Sequence, residues 1–169
     1  MRKLTCSLIM ALAAISAIAQ IPGRILDLEP GKSTLANVKA MALAHKWGTE
    51  VRDDMVYLLS SEGIEYEGLH WTMACVQMYQ GKVMAIMFTE TGDESALLER
   101  YNTVSKNLLQ KYAPYLRTDA EVDMRMRKVK PFSDGNTWVD VTMMGGERPY
   151  VALTYMDCAL AINSQEDAK

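Results

Sequence analysis

The sequence predicts an α+β fold: an antiparallel sheet with its helices on one face, built as a tandem αβββ-αβββ duplication. Three observations carry this. Apolar residues recur at helical spacing in two stretches, Leu35, Val38, Met41, Ala42, His45 and then Leu97, Tyr101, Val104, Leu108, Tyr112. Each stretch is followed by segments in which apolar and polar residues alternate. Those segments are joined by turn signals such as Gln80-Gly81, Ser133-Asp134-Gly135 and Gly145-Gly146, which reverse the chain tightly enough to pair neighbours antiparallel. A helix with one apolar stripe covers one side of a sheet, so both helices are placed together.

The chain opens with Arg2 and Lys3, an apolar run over 4–18, and Ala17-Ile18-Ala19 as a small-x-small site before Gln20. This reads as a secretory signal peptide over 1–19. A membrane anchor is disfavoured because the run falls short of the roughly 20 residues a span requires and no stop-transfer charges follow. Cys6 precedes most of the run and so cannot be a lipidated cysteine at a mature terminus. The working part is then one domain over 20–162, with halves near 33–90 and 93–157, and a polar tail over 163–169 that should fray.

Within the first half, Ser33 or Thr34 caps a helix that ends at Trp47-Gly48, with Gly48 suited to the left-handed position. Three strands are expected at 51–60, 68–79 and 82–90. The third has apolar residues on both faces, Val83, Ala85 and Met87 against Met84, Ile86 and Phe88, and should be central. In the second half Asp93 caps the second helix and Pro114 stops it. Strands follow at 121–132, 136–144 and 149–157.

Charge and cysteines bound the function. The full chain has 18 Lys+Arg and 21 Asp+Glu; loss of Arg2 and Lys3 leaves 16 against 21. An acidic chain is a poor phosphate binder, so nucleic acid is not expected as a partner, and no membrane span is expected after cleavage. Cys75 and Cys158 remain after cleavage, and export makes a disulfide between them the expected pairing, with two buried free thiols the alternative.

Gly81-Lys82-Val83-Met84-Ala85-Ile86-Met87-Phe88, a helix ending Gln110-Lys111-Tyr112-Ala113-Pro114, and the strand Val151-Ala152-Leu153-Thr154-Tyr155-Met156-Asp157 together resemble a group of uncharacterised secreted or periplasmic proteins of Bacteroidota. Ala113 stands where those proteins carry Gly. The element order is also similar to the beta-lactamase-inhibitor-protein-like fold, shared in half-size form by small lipoproteins of outer-membrane assembly. The resemblance implies an exported binding module, periplasmic or extracellular. It brings no catalytic residues with it.

Candidate chemistry is sparse. Gly31-Lys32-Ser33-Thr34 echoes the end of a phosphate loop, but Leu26 stands where the first glycine would be, so it reads as a helix start. His45 and His70 lack partners at metal-ligand spacing. Glu62, Glu65 and Glu67 with Asp53 and Asp54 lack the spacing and turn glycine of a calcium loop. Arg125, Arg127, Lys128 and Lys130 read as a solvated strand edge. The pairs Met84/Met87 and Met124/Met126 could suggest Cu(I), yet read as core packing. No catalytic residue, cofactor or metal site is therefore assigned.

The expectation is a non-enzymatic binding or scaffold protein of the cell envelope, with an envelope or extracellular protein as partner. The sheet face away from the helices is the candidate partner face, with Trp71, Tyr79, Arg125, Arg127 and Trp138 on it if the second and fifth strands share register sense, the aromatic and arginine composition of interaction hot spots; the alternative is that the tryptophans are core. An envelope hydrolase with a site of another kind, or an enzyme-inhibitor-like module, is the alternative.

Overall fold

A computed structural model describes residues 20–169; the signal-peptide expectation lies outside the described residues. The class is α+β, with a large antiparallel sheet. The sheet has eight strands: β1 (Gly48–Arg52), β2 (Met55–Leu59), β5 (Met73–Tyr79), β6 (Lys82–Thr91), β7 (Val122–Met124), β8 (Arg127–Ser133), β9 (Thr137–Met144) and β10 (Tyr150–Asp157). Their order is β1-β2-β5-β6-β10-β9-β8-β7. A separate hairpin, β3 (Ile64–Tyr66) with β4 (Leu69–Trp71), is inserted between β2 and β5. The helices are α1 (Leu35–Ala44), α2 (Glu94–Tyr112) and α3 (Cys158–Asp167).

Cross-strand partners share a face, so the register sorts every strand residue. On one side lie Val56, Leu58, Ala74, Val76, Ile86, Phe88, Val151, Leu153, Tyr155, Val139, Val141 and Phe132, all buried. The stripe of α2 (Leu97, Tyr101, Val104, Leu108, Tyr112) packs here, with Val38, Met41 and Ala42 of α1 and Ile21, Ile25 and Leu28 of the lead-in. The β3–β4 hairpin closes the remaining gap: Tyr66 stacks on Phe88 at 4.3 Å between ring centres, and Trp71 is wholly buried beside it.

Local chemistry explains most boundaries. Asn37 Oδ1 accepts the Thr34 N–H at 2.8 Å, closing the start of α1. Gln80 and Gly81 both take positive φ, 47° and 76°, the geometry a two-residue hairpin needs. Gly63 (φ 75°) lies under the His70 ring, where an added Cβ would meet ring atoms at 2.3 Å.

Several expectations are corrected. The left-handed residue after α1 is Lys46 (φ 59°), and Gly48 instead opens β1. The strand expected at 51–60 is two strands turning at Asp53-Asp54, and that at 121–132 is two strands turning at Arg125-Met126. The strand expected at 68–79 breaks at Thr72, which sends Trp71 into the inserted hairpin. The tail is helical as far as Asp167, because Asp157 Oδ1 accepts the Leu160 N–H at 2.8 Å and caps α3. Not all helices share a face: α3 lies on the other side of the sheet, where Ala161, Ile162 and Gln165 border a cleft with Trp138 and Met156.

Candidate binding face

The side of the sheet away from α1 and α2 can be read in rows. One row runs Tyr57, Cys75, Met87, Thr154, Asp140, Pro131 from β2 to β8. The next runs Met55, Gln77, Ala85, Met156, Trp138, Ser133. A third runs Met73, Thr89, Ala152, Thr142, Val129. Met84 is the extra residue of a β-bulge, since Gln77 faces Ala85 and Met78 faces Val83. The bulge reverses the parity of β6, which is why Val83 joins Ile86 and Phe88 in the core.

This face is soft. Met55, Met73, Met87, Met144 and Met156 are all half-buried here, as are Tyr57 and Trp138. Asp140 sits among them, accepting from Trp138 Nε1 at 2.8 Å and from Thr142 Oγ1 at 2.9 Å. Burial lifts its carboxyl above the ordinary range, and the two hydrogen bonds only partly oppose this. A cleft of 430 Å³ lies between α3 and the sheet, lined by Trp138, Met156, Ala161, Ile162 and Gln165. At the far end of α3, the Tyr79 hydroxyl donates to Asp167.

The expected partner-face residues therefore separate. Trp138, Tyr79 and Arg127 belong to the free face by register. Trp71 does not: it is buried on the covered side, with the Arg100 guanidinium 5.1 Å above its ring. Arg125 lies in the β7–β8 turn. Arg127 pairs Met144 whereas Trp138 pairs Ser133, six residues along β9, about 20 Å apart at the usual rise. They do not form one arginine–aromatic patch.

Cys75 and Cys158 are free thiols, against the disulfide expectation. Cys75 points to the free face at mid-strand, level with Thr154 two strands away, while Cys158 follows the end of β10 beside Ser133. By strand spacing and rise their Cα atoms are on the order of 15 Å apart, twice what a bridge tolerates. Burial pushes the Cys75 thiol up to about 11.

The histidines supply no site. His45 is exposed and stacks on Trp47 at 4.4 Å, and the His70 ring is 2.6 Å from the Glu62 carbonyl oxygen. A second cleft, of 560 Å³, lies between α2 and the β7–β8 edge, bordered by Tyr101, Ser105, Lys106 and Gln110. Its lysines Lys128 and Lys130 are paired with Asp123 and Glu121. Among the described residues no three His, Cys, Asp or Glu side chains cluster as metal ligands, and no helix is long and apolar enough to cross a membrane. Comparison with family models, curated proteins and solved structures finds no match.

Alternation along the chain named this face but misplaced Trp71 on it, because the strand breaks at Thr72. Trp138, Asp140 and Thr142 are correctly grouped by alternation along β9. The methionines were legible as strand residues, but only the pairing of strands shows that they gather on one side.

Proposed function

We propose that this chain is a non-enzymatic binding protein that docks a protein partner on the free face of its sheet. The observation that carries this is the composition of that face. Its central rows hold thioethers, Tyr57 and Trp138 where a solvated sheet face would alternate to charged residues. Methionine surfaces adapt to the shape of what they meet, and a half-buried tryptophan is the commonest anchor at interfaces. The partner that fits is a protein presenting an apolar loop or helix face, met outside the cytoplasm if residues 1–19 act as an export signal.

The test is capture from envelope extract with the wild-type protein, repeated with Trp138→Ala and Met144→Glu. The expected result is a specific partner retained by the wild type and lost by both variants, each still folding cooperatively. Retention by both variants would remove the free face from the function.

The resemblance to the beta-lactamase-inhibitor-protein-like fold, and the tandem duplication within it, belong to the same reading. The sheet order supports a duplication with four strands in each half where three were expected: each half is a helix followed by a four-strand meander, and the last strands, β6 and β10, lie side by side at the centre. The inserted β3–β4 hairpin is what distinguishes the first half. An enzyme-inhibitor-like role is the form of docking this architecture favours, and a hydrolytic role has no histidine–carboxylate cleft to support it.

A further inference from the structure

We propose that Cys75, Met87 and Met73 form a binding site for Cu(I) at the centre of the free face. Cys75 of β5 and Met87 of β6 are direct cross-strand partners, which sets their Cβ atoms about 4.5–5.5 Å apart. Met73 lies two residues before Cys75 on the same face, diagonal to Met87 because it pairs with Thr89; that diagonal is about 7–8 Å and within reach of a long side chain. Three sulfur atoms from two adjacent strands thus sit over one small area of sheet. Met55 and Met156 occupy the flanking diagonals on β2 and β10.

The burial of Cys75 shows that this area is closed over. Its side chain faces the side that α1 and α2 leave free, yet it is only 1% exposed. Among the described residues the one helix on that side, α3, borders Trp138 and Met156 and reaches Tyr79, so it runs along the row next to that of Cys75. By register its nearest neighbours on that face are Tyr57, Met73 and Met87.

The chemistry of the set selects the metal. Thiolate and thioether ligands are soft and favour Cu(I) over divalent cations that take oxygen or imidazole. The carboxylate in the same row, Asp140, is separated from Met87 by β10 and already accepts two hydrogen bonds. On binding, the Cys75 thiol releases its proton to solvent and the thiolate sulfur donates to copper. The metal stays Cu(I), so no oxidant or reductant is consumed.

Packing alone accounts poorly for the arrangement. On the covered face the packing is done by Val, Ile, Leu and Phe, with Met41 and Met143 as the fully buried methionines there. The gap-filling value of methionine is greatest in an irregular core, whereas these residues lie on the side that α1 and α2 leave free.

This proposal does not rest on the docking proposal, and its test involves no partner. The purified protein is titrated anaerobically with Cu(I) held by a chromogenic chelator. The expected result is one equivalent of copper removed from the chelator, with a thiolate-to-copper absorption band. Cys75→Ser should abolish the band, and Met87→Leu and Met73→Leu should each weaken binding by roughly tenfold or more. Met124→Leu, at the exposed end of β7, should change nothing. Met→Leu nearly conserves volume, so the folded state survives, and thermal melts of each variant check this. Failure of the wild type to compete for Cu(I), or equal binding by the Cys75→Ser, Met87→Leu double variant, overturns the site. Loss of copper binding in a protein that still captures its partner would leave the docking proposal standing.

Discussion

The two faces of the sheet are made by the same strands and follow opposite rules. The covered face is β-branched, leucine and phenylalanine, stacked against rigid helices and a hairpin that carries Trp71 and Tyr66. The free face includes methionine, tyrosine, threonine, Trp138, one cysteine and the half-buried carboxylate of Asp140. Stiff side chains with few rotamers suit a surface whose partner is built into the fold. Flexible thioethers suit a surface whose partner arrives later. Under the docking proposal, stability belongs to one face and recognition to the other.

The sharpest way to break that assignment is to truncate a tryptophan on each side. Trp71→Ala removes a wholly buried indole that packs on Phe88 and lies under Arg100. It should cost about 3–5 kcal/mol in denaturant unfolding. Trp138→Ala, half-buried beside α3, should cost about 1–2 kcal/mol. Equal losses would mean that the free face belongs to the core and is no separate surface.

How much of this was legible in the sequence follows from what each signal measures. Helix α2 reads clearly because five apolar residues fall on one stripe and Pro114 bounds it. The Gln80-Gly81 hairpin reads clearly because glycine tolerates the positive φ found there. The turns at Asp53-Asp54 and Arg125-Met126 carry no glycine or proline, so each was hidden inside an apparently continuous alternating run. Trp71 was misplaced for a related reason. Counting by twos from Met73 puts it on the free face, but the break at Thr72 moves it into a different sheet. Period-two counting is valid only while the strand is unbroken, and the β6 bulge at Met84 defeats it in the same way. Helix α3 was missed because its apolar contact is small: Ala161 is its buried residue, and the rest reads as a polar tail.

A smaller effect tests the electrostatics of the free face. Burial raises the Asp140 carboxyl, so the folded chain holds that proton more tightly than the unfolded chain does. The stability tied to this group is complete below the ordinary carboxylate pKa and is lost as pH rises through the raised value. At neutral pH the ionised carboxylate is a net cost. Asp140→Asn keeps an acceptor for Trp138 and should raise Tm at pH 7 by about 2–4 °C. The gain should shrink toward zero as pH falls below about 4. A gain independent of pH would show that titration of Asp140 is not its source.

The smallest effect concerns α3, the one helix on the free side among the described residues. It is tied at its first turn by Asp157 and near its end by the Tyr79 hydroxyl on Asp167, with Gln80 Nε2 3.0 Å from the same hydroxyl. Between those ties it buries little beyond Ala161, so its cohesion is local and its end should open without the rest of the fold. Tyr79→Phe deletes the distal tie and keeps the ring. The global unfolding free energy should stay within about half a kcal/mol of the wild type. Amide exchange over 164–167 should accelerate, while that over 158–161, held by the Asp157 cap, should not. Uniform acceleration along α3 would mean that the helix docks as one rigid unit. Its contact with Trp138 and Met156 would then count as part of the stable fold, and the free face would be smaller by the two residues that α3 covers.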